Sequence, residues 1–257
     1  MKQISVERSI EELVQWVRQA DRILFYTGAG ISVPSGIPDF RSPGGLWEKY
    51  DPYEYATLRA FKNQPAKVWV FLRDLFFTFR DKEPNVAHKA LVEVEQLLGK
   101  DKVFIATQNI DSLHQRAGST NVFELHGSND NLHCLSCAFE EPTDVKHFNE
   151  DPYPICPKCS YPLKPKVTFF DEGLDRSVFN SVKKIASESE LLIGVGSSLE
   201  VHPASSIFLS SKKNKAHFNL TRTNYAHLIN YLILGDVVET LPLFVEALRK
   251  LIASNNH

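Results

Sequence analysis

No apolar run in the 257-residue sequence reaches the roughly 18 residues that cross a membrane as a helix, so no such span is expected. The first residues, M-K-Q-I-S-V-E-R-S-I-E-E-L, are charged too early and too often for a signal peptide, and the expectation is a soluble, cytoplasmic protein. An excess of either charge is also missing. With 29 Lys and Arg against 31 Asp and Glu the net charge is −2, so no chain-wide field draws the protein to nucleic acid or an anionic membrane, and neither is an expected partner. Sequence repeats and low-complexity tails are absent, and a monomer is expected. Only four cysteines occur, and a reducing compartment would keep them from forming disulfides, which makes their placement informative. The dehydrogenase fingerprint G-x-G-x-x-G is not met either: position 33 is Val, and the third glycine arrives only at Gly36, ahead of the break at Pro38. Hydride transfer is therefore disfavoured.

What is present centres on F-Y-T-G-A-G-I-S-V-P-S-G-I-P-D-F-R, residues 25 to 41. Ile23, Leu24, Phe25 and Tyr26 read as a buried strand, too short for a helix and rich in β-formers. Gly28 and Gly30 then permit a tight turn whose backbone N–H groups would suit a phosphate, and Ser32 is placed to cap a following helix. Taken alone, a G-x-G after a strand is more often a structural turn. Asp39, Phe40 and Arg41 sit in a polar loop able to close over a ligand.

Along the chain, Ser9 and Glu12 read as a capping box for an amphipathic helix with Ile10, Leu13, Val14 and Val17 on one face. Residues 42 to 57 are turn-rich and aromatic without periodicity, and read as a loop or lid. Trp69, Leu72, Leu75 and Phe76 mark an apolar helical insertion over residues 61 to 79, and the helix through His88, Leu91, Val94 and Leu98 should end at Gly99. Val103 to Ala106 is a second buried strand delivering Gln108, Asn109 and Asp111. Val122 to Leu125 delivers His126-Gly127-Ser128, and Leu191 to Val195 runs into G-S-S-L-E-V-H-P-A. A short strand through His217, Phe218 and Asn219 and a terminal helix carrying Phe244, Leu248 and Ile252 close the chain. Strands that each end in polar residues imply one crevice at the carboxyl edge of a doubly wound parallel α/β sheet.

Cys134, Cys137, Cys156 and Cys159 form two C-x2-C pairs with eighteen residues between them. Two such hairpins bring four thiolates to the corners of a tetrahedron suited to zinc; a redox dithiol is the alternative for one pair, but two pairs favour the metal. Prolines at 152, 154, 157 and 162 argue against a regular helix there. Four protein ligands leave no open position, so the zinc is expected to be structural.

In combination and order, G-A-G-I-S…S-G-I-P-D-F-R, T-Q-N-I-D-S-L-H, H-G-S, the paired C-x-x-C and G-S-S-L-E-V-H-P-A resemble the sirtuin family of NAD-dependent protein deacylases, as a single catalytic core of prokaryotic type spanning roughly residues 10 to 250. The resemblance implies a Rossmann-like domain (1–33 with 86–127 and 165–257), a cofactor loop and helical insertion (34–85) and a zinc-ribbon module (128–164). NAD as co-substrate, one structural zinc and an acyl-lysine protein or peptide as partner follow from it. Residue by residue, it places the NAD phosphates at Gly28, Ala29 and Gly30 with Ser32 nearby. Gly196, Ser197, Ser198, Asn219 and Val237 fall around the adenosine, and Asp39, Phe40 and Arg41 in the mobile cofactor loop. Gln108 and Asn109 become nicotinamide-ribose contacts, and Ile110 and Asp111 the carboxamide pocket. His126 becomes the general base, a role its ordinary pKa suits at neutral pH, with Asn109 as a second catalytic residue. The implied reaction begins with attack of the acyl oxygen on the ribose anomeric carbon as nicotinamide leaves; His126 then deprotonates a ribose hydroxyl, and O-acyl-ADP-ribose and free lysine result. The peptide would add as a strand between Thr168, Phe170, Asp171 and Glu172 on one side and Leu199 and Val201 on the other.

Three departures from the family pattern bear on specificity. Where the family usually has F-G-E, this chain has Phe170-Asp171-Glu172, and the added carboxylate is expected to favour acyl-lysines flanked by basic residues. Ser112 replaces the Gly or Arg frequent after N-I-D, without expected consequence. Leu72 and Leu75 stand where the desuccinylase-like branch has Tyr and Arg, which points to an acetyl or longer apolar acyl group. Two other functions remain open on the sequence: an ADP-ribosyltransferase or NAD hydrolase using the same cleft, and a non-catalytic NAD-sensing module.

Overall fold

The computed structural model describes residues 5–254; residues 1–4 and 255–257, which the sequence reading gives to the large domain, lie outside the described residues. The strands are β1 (Ile23–Thr27), β2 (Val103–Thr107), β3 (Val122–Glu124), β4 (Gly127–Cys134), β5 (Glu140–Pro142), β6 (Leu163–Val167), β7 (Leu191–Val195), β8 (Asn214–Asn219) and β9 (Tyr231–Leu234). Six of them form one parallel sheet in the order β3-β2-β1-β7-β8-β9. The chain builds outward from β1 in one direction and then from β7 in the other. A crevice opens where the order reverses, at the carboxyl ends of β1 and β7, as doubly wound Rossmann-like sheets require.

Apolar side chains on both faces explain why the central strands are continuous hydrophobic runs. Ile23 and Phe25 of β1 point into a core shared with the helices Val6–Gln19, Val86–Leu98 and Val237–Ala253, whereas Leu24 and Tyr26 point into a second core with Val182 and Ala186 of the helix Arg176–Glu188 and with Phe208. Among the described residues no helix is long and apolar enough to cross a membrane.

Several local expectations are corrected. Ser5, not Ser9, caps the first helix through the amide of Arg8, and Ser9 is buried inside it, because the helix begins a turn earlier than the Ser-x-x-Glu spacing implies. Residues 42 to 57 are not plain loop: single helical turns, Leu46–Lys49 and Pro52–Tyr55, form there, the second capped by Asp51, and both are too short to show a period. Strand β9 has only four residues at the sheet edge, three of them half-buried, and shows no alternation to detect.

The remaining strands make a smaller antiparallel sheet, β5-β4-β6. Its core is shared with the helices Leu58–Asn63 and Pro65–Phe79: Trp69, Leu72 and Leu75 pack with Leu132, Phe148, Cys134 and Cys156. The Trp69 indole donates to Leu163 O at 2.9 Å, Phe76 stacks on Phe148 at 3.7 Å, and Arg73 Nε donates to Phe148 O. Neither half has a core of its own, so helical insertion and cysteine module form one unit beside the large sheet.

Candidate active site

The turn after β1 meets the turn after β7 backbone to backbone. Gly28 N donates to Val195 O at 3.1 Å and Gly30 N to Gly196 O at 2.8 Å. A Cβ on Gly30 would lie 2.8 Å from Gly196 O, and one on Gly196 would lie 2.3 Å from Ile31 N, so side chains are excluded at both positions by contact. The Gly28 and Gly30 amides are thereby engaged within the two turns. Of the five amides from Gly28 to Ser32, only that of Ala29 lacks a carbonyl partner among the described residues. Ser32 caps no helix: short 3-10 turns, Ala29–Ile31 and Val33–Ser35, take the place of a long helix, and Pro34 and Gly36 stop continuation.

The Ser32 hydroxyl instead ties three motifs together. It donates to Asp111 Oδ2 at 2.6 Å and accepts from Asn109 Nδ2 at 3.1 Å, while Asn109 Nδ2 also reaches Gly28 O at 3.2 Å. Asp111 Oδ1 accepts from Leu113 N at 2.9 Å, as a helix cap would. Burial raises the Asp111 pKa, against the lowering effect of its hydrogen bonds to Ser32 and Leu113. Beneath lie His88 and His114, rings 5.0 Å apart, with His114 Nε2 2.9 Å from Thr27 Oγ1. Burial holds His88 down at about 4 and His114 well below its ordinary value. Neither histidine lines either cavity described below.

Gln108 links the strand tips: its side chain donates to Ser197 Oγ at 3.0 Å, and its carbonyl oxygen lies 3.0 Å from His126 Nδ1. A carbonyl only accepts, so Nδ1 carries the proton and Nε2 is left with its lone pair. Burial lowers the His126 pKa from 6.5, partly offset by that hydrogen bond, and the ring is neutral at pH 7. Gly127 follows with φ +71°, and a Cβ there would sit 2.0 Å from Lys166 O; only glycine lets β4 pass β6 at this point.

Two cavities open beside these groups. The larger, about 480 Å³, is lined by Gly28, Ala29, Gly30, Asp39, Phe40, Arg41, Gln108 and Asn109 and, across the crevice, by Gly196, Ser197, Ser198, Asn219 and Val237. The smaller, about 200 Å³, is apolar: Trp47, Phe71, Leu72, Leu75, Ile110, Val167 and Phe169 line it, with Thr168, Phe170, Asp171 and Glu172 along one side. Both include Phe40, Arg41, Gln108, His126 and Val201, so they meet at the imidazole. The loop carrying Asp39 closes on itself, Asp39 Oδ1 accepting from the amides of Arg41 and Ser42, and Phe40 rests on Trp47 at 5.1 Å.

Not every expected site residue reaches a cavity. Ser32 and Asp111 stand behind the larger one, holding Asn109, and Ile110 belongs to the apolar one. Leu199 has φ +64° and a fully buried side chain in the second core of the large sheet, so its side chain offers nothing to a ligand. The Asp171 carboxylate, at the side of the smaller cavity, also accepts backbone amides: Oδ1 from Leu58 N at 2.7 Å and Oδ2 from Arg59 N at 3.4 Å. The sequence missed Leu220, Thr221, Arg222, Thr223 and Asn224, which line the larger cavity after β8. The polar T-R-T-N run after a strand was the signal, the same one that identified the other tips.

The four cysteine sulfurs lie within 4.8 Å of one another, Cys134 Sγ 3.4 Å from Cys159 Sγ and Cys137 Sγ 3.5 Å from Cys156 Sγ. Thiolates about 2.3 Å from a central zinc would be about 3.8 Å apart, so the donor set fits a tetrahedral metal with no open position.

The Sir2 family model matches residues 28–203. The chain is 40% identical over 256 residues to NAD-dependent protein deacylase 2 of Archaeoglobus fulgidus, covering 96% of this chain and 98% of that one. It is 39% identical over 241 residues to NAD-dependent protein deacetylase of Clostridium acetobutylicum, covering 90% and 97%. Among solved structures, a Sir2 homologue in complex with NAD superposes with a TM-score of 0.85 at 33% identity, covering 94% of each chain. A Sir2 variant with deacetylated p53 peptide and 3'-O-acetyl-ADP-ribose superposes with a TM-score of 0.85 at 31% identity, covering 92% and 97%.

Proposed function

The chain belongs to the Sir2 family, and from that premise we propose that it is an NAD-dependent protein deacylase that removes acyl groups from lysine and yields nicotinamide, free lysine and O-acyl-ADP-ribose. The observation that carries this reading is the meeting of a large cleft, built on the strand tips, and a small apolar cavity at one neutral histidine. NAD, when bound, supplies the ribose carbon that accepts the acyl oxygen and the hydroxyls to which the acyl group passes. The amide of Ala29 and the tips of β7 and β8 are placed to hold its phosphates and adenosine. Asn109 is pinned by Ser32 and Gly28 O, which orients its amide toward the ribose end, and Asp111, bonded to the Ser32 hydroxyl and to Leu113 N, supports Ser32 from behind the cleft. His126 Nε2, with its lone pair exposed by the Nδ1 hydrogen bond to Gln108, accepts the proton of a ribose hydroxyl.

The apolar cavity takes the acyl chain. Leu72 and Leu75 line it where a succinyl reader would need a cation, so an acetyl or longer apolar group fits and an acidic one does not. The four cysteines hold one structural zinc, away from the chemistry. We take the large sheet and the unit made of helical insertion and zinc module to be two working parts, with the cofactor and acyl-lysine between them.

Mass spectrometry of acetyl-, butyryl- and succinyl-lysine peptides incubated with NAD tests the reading. The expected result is NAD-dependent loss of acetyl and butyryl groups with matching O-acyl-ADP-ribose, a slow or absent reaction on succinyl-lysine, and no product from His126→Ala. Free ADP-ribose beside an intact acyl peptide, or ADP-ribose attached to protein, would replace it with a hydrolase or transferase.

A further inference from the structure

The loop after β6 forms one wall of the acyl cavity, and it is tied down at three successive residues. Phe170 pairs with Thr57: Phe170 N donates to Ala56 O at 2.9 Å, and Leu58 N donates to Phe170 O at 3.1 Å. Glu172 turns inward, where Oε2 accepts from Phe169 N at 2.9 Å and lies 3.2 Å from the Nζ of the fully buried Lys164. Between them Asp171 holds φ +60°, a left-handed conformation that costs most residues energy but that Asp and Asn tolerate. Its carboxylate reaches the free amino end of the helix Leu58–Asn63, which has three amides to satisfy. Thr57 Oγ1 accepts from Ala60 N at 3.0 Å; Asp171 takes Arg59 N and shares Leu58 N, which also donates to Phe170 O.

We propose that Asp171 is a positioning residue of the deacylase: by capping the helix Leu58–Asn63 from across the chain, it locks the substrate-binding loop to the helical insertion and holds the acyl cavity in a peptide-ready shape. Glycine at this position would meet the same φ without strain but supply no acceptor, so the lock depends on the aspartate side chain. A carboxylate at a helix amino end also gains from the helix dipole. With the loop fixed, an incoming peptide finds its pairing edge already ordered, and the cost of ordering it does not fall on binding.

The inference rests on the deacylase reading, and its test separates the two. Steady-state kinetics on two acetyl-lysine peptides, one with neutral and one with basic flanks, are measured for the wild type, Asp171→Asn, Asp171→Gly and Asp171→Ala. Backbone amide exchange over residues 56–63 is followed in the same four proteins. Loss of a helix cap is expected to raise the peptide KM roughly five-fold in the Gly and Ala variants, with the effect on KM and not on kcat. The Asn variant, which keeps the left-handed conformation and one acceptor, should remain within about two-fold of the wild type. Exchange at Arg59, whose amide donates to Asp171 Oδ2, should accelerate in the Gly and Ala variants and less in the Asn variant, which keeps one acceptor oxygen. A Gly variant with wild-type KM and protected amides overturns the proposal. An Asn variant that loses affinity for the basic peptide as fully as the Gly variant also overturns it, because the charge then faces substrate. Should the wild type show no NAD-dependent turnover, the functional reading fails, and the exchange data still decide whether the lock exists.

Discussion

His126 shows how one hydrogen bond fixes a chemical role. The carbonyl of Gln108 can only accept, so the proton sits on Nδ1 and Nε2 is the basic nitrogen facing the junction of the two cavities. Protonation at Nε2 removes the base, and because burial lowers the pKa the active neutral form persists to more acidic pH. The acid limb of kcat/KM should therefore have its midpoint below 6.5, with activity rising through it as pH increases; a pH–rate profile measures this, and a midpoint at or above 7 would contradict the buried geometry. Ser32 makes a related point. Its type and place were noted from the sequence, but its hydroxyl serves Asp111 and Asn109 and not a helix terminus.

At the scale of elements, the cysteine module depends on its metal more than the parallel sheet does. Strands β5 and β6 have three and five residues, yet Cys134 and Cys156 sit in the core with Trp69 and Phe148, so the ligands are also packing residues. Chelation, or Cys137→Ser at an exposed ligand, is expected to release the zinc and loosen this module while leaving the large sheet folded. Metal analysis together with near- and far-UV circular dichroism tests it: bound zinc should fall from one per chain, the near-UV signal of Trp69 should weaken, and most far-UV signal should remain. An unchanged melting curve after complete zinc removal would show that the module holds itself together.

Among the described residues, His88, His114 and His217 are buried and held in neutral form away from the two cavities. Burial depresses His88 and His217 to about 4 and holds His114 well below its ordinary value. Above 6.5 neither native nor unfolded chain protonates them; below it the unfolded chain takes up protons that the native one refuses, so stability falls as pH drops toward 4. Each such group should cost about 2 kcal/mol between pH 7 and pH 5. Denaturant unfolding across that range, with zinc in excess, measures the slope, and His88→Gln should flatten it; equal slopes would mean that His88 is protonated in the native protein.

How much was legible follows from how local each signal is. The zinc site could be read directly, because two C-x2-C hairpins bring their own geometry wherever they are placed. The parallel sheet was legible for the same kind of reason: a strand buried on both faces must be apolar throughout, and its carboxyl end must deliver the polar tip. Gly28, Gly30, Gly196 and His126 were found as residues of a shared crevice. What the sequence could not decide was which groups those residues touch. The amides of Gly28 and Gly30 are bonded to Val195 and Gly196, far along the chain, and the side chain of Leu199 turns into the core. Asp171 binds amides 113 and 112 residues away, a structural tie that its charge alone did not reveal. Residue type and short spacing establish what chemistry is available, because they act within one turn or one strand. Its direction is settled only when tertiary packing brings distant backbone donors and acceptors within hydrogen-bonding reach.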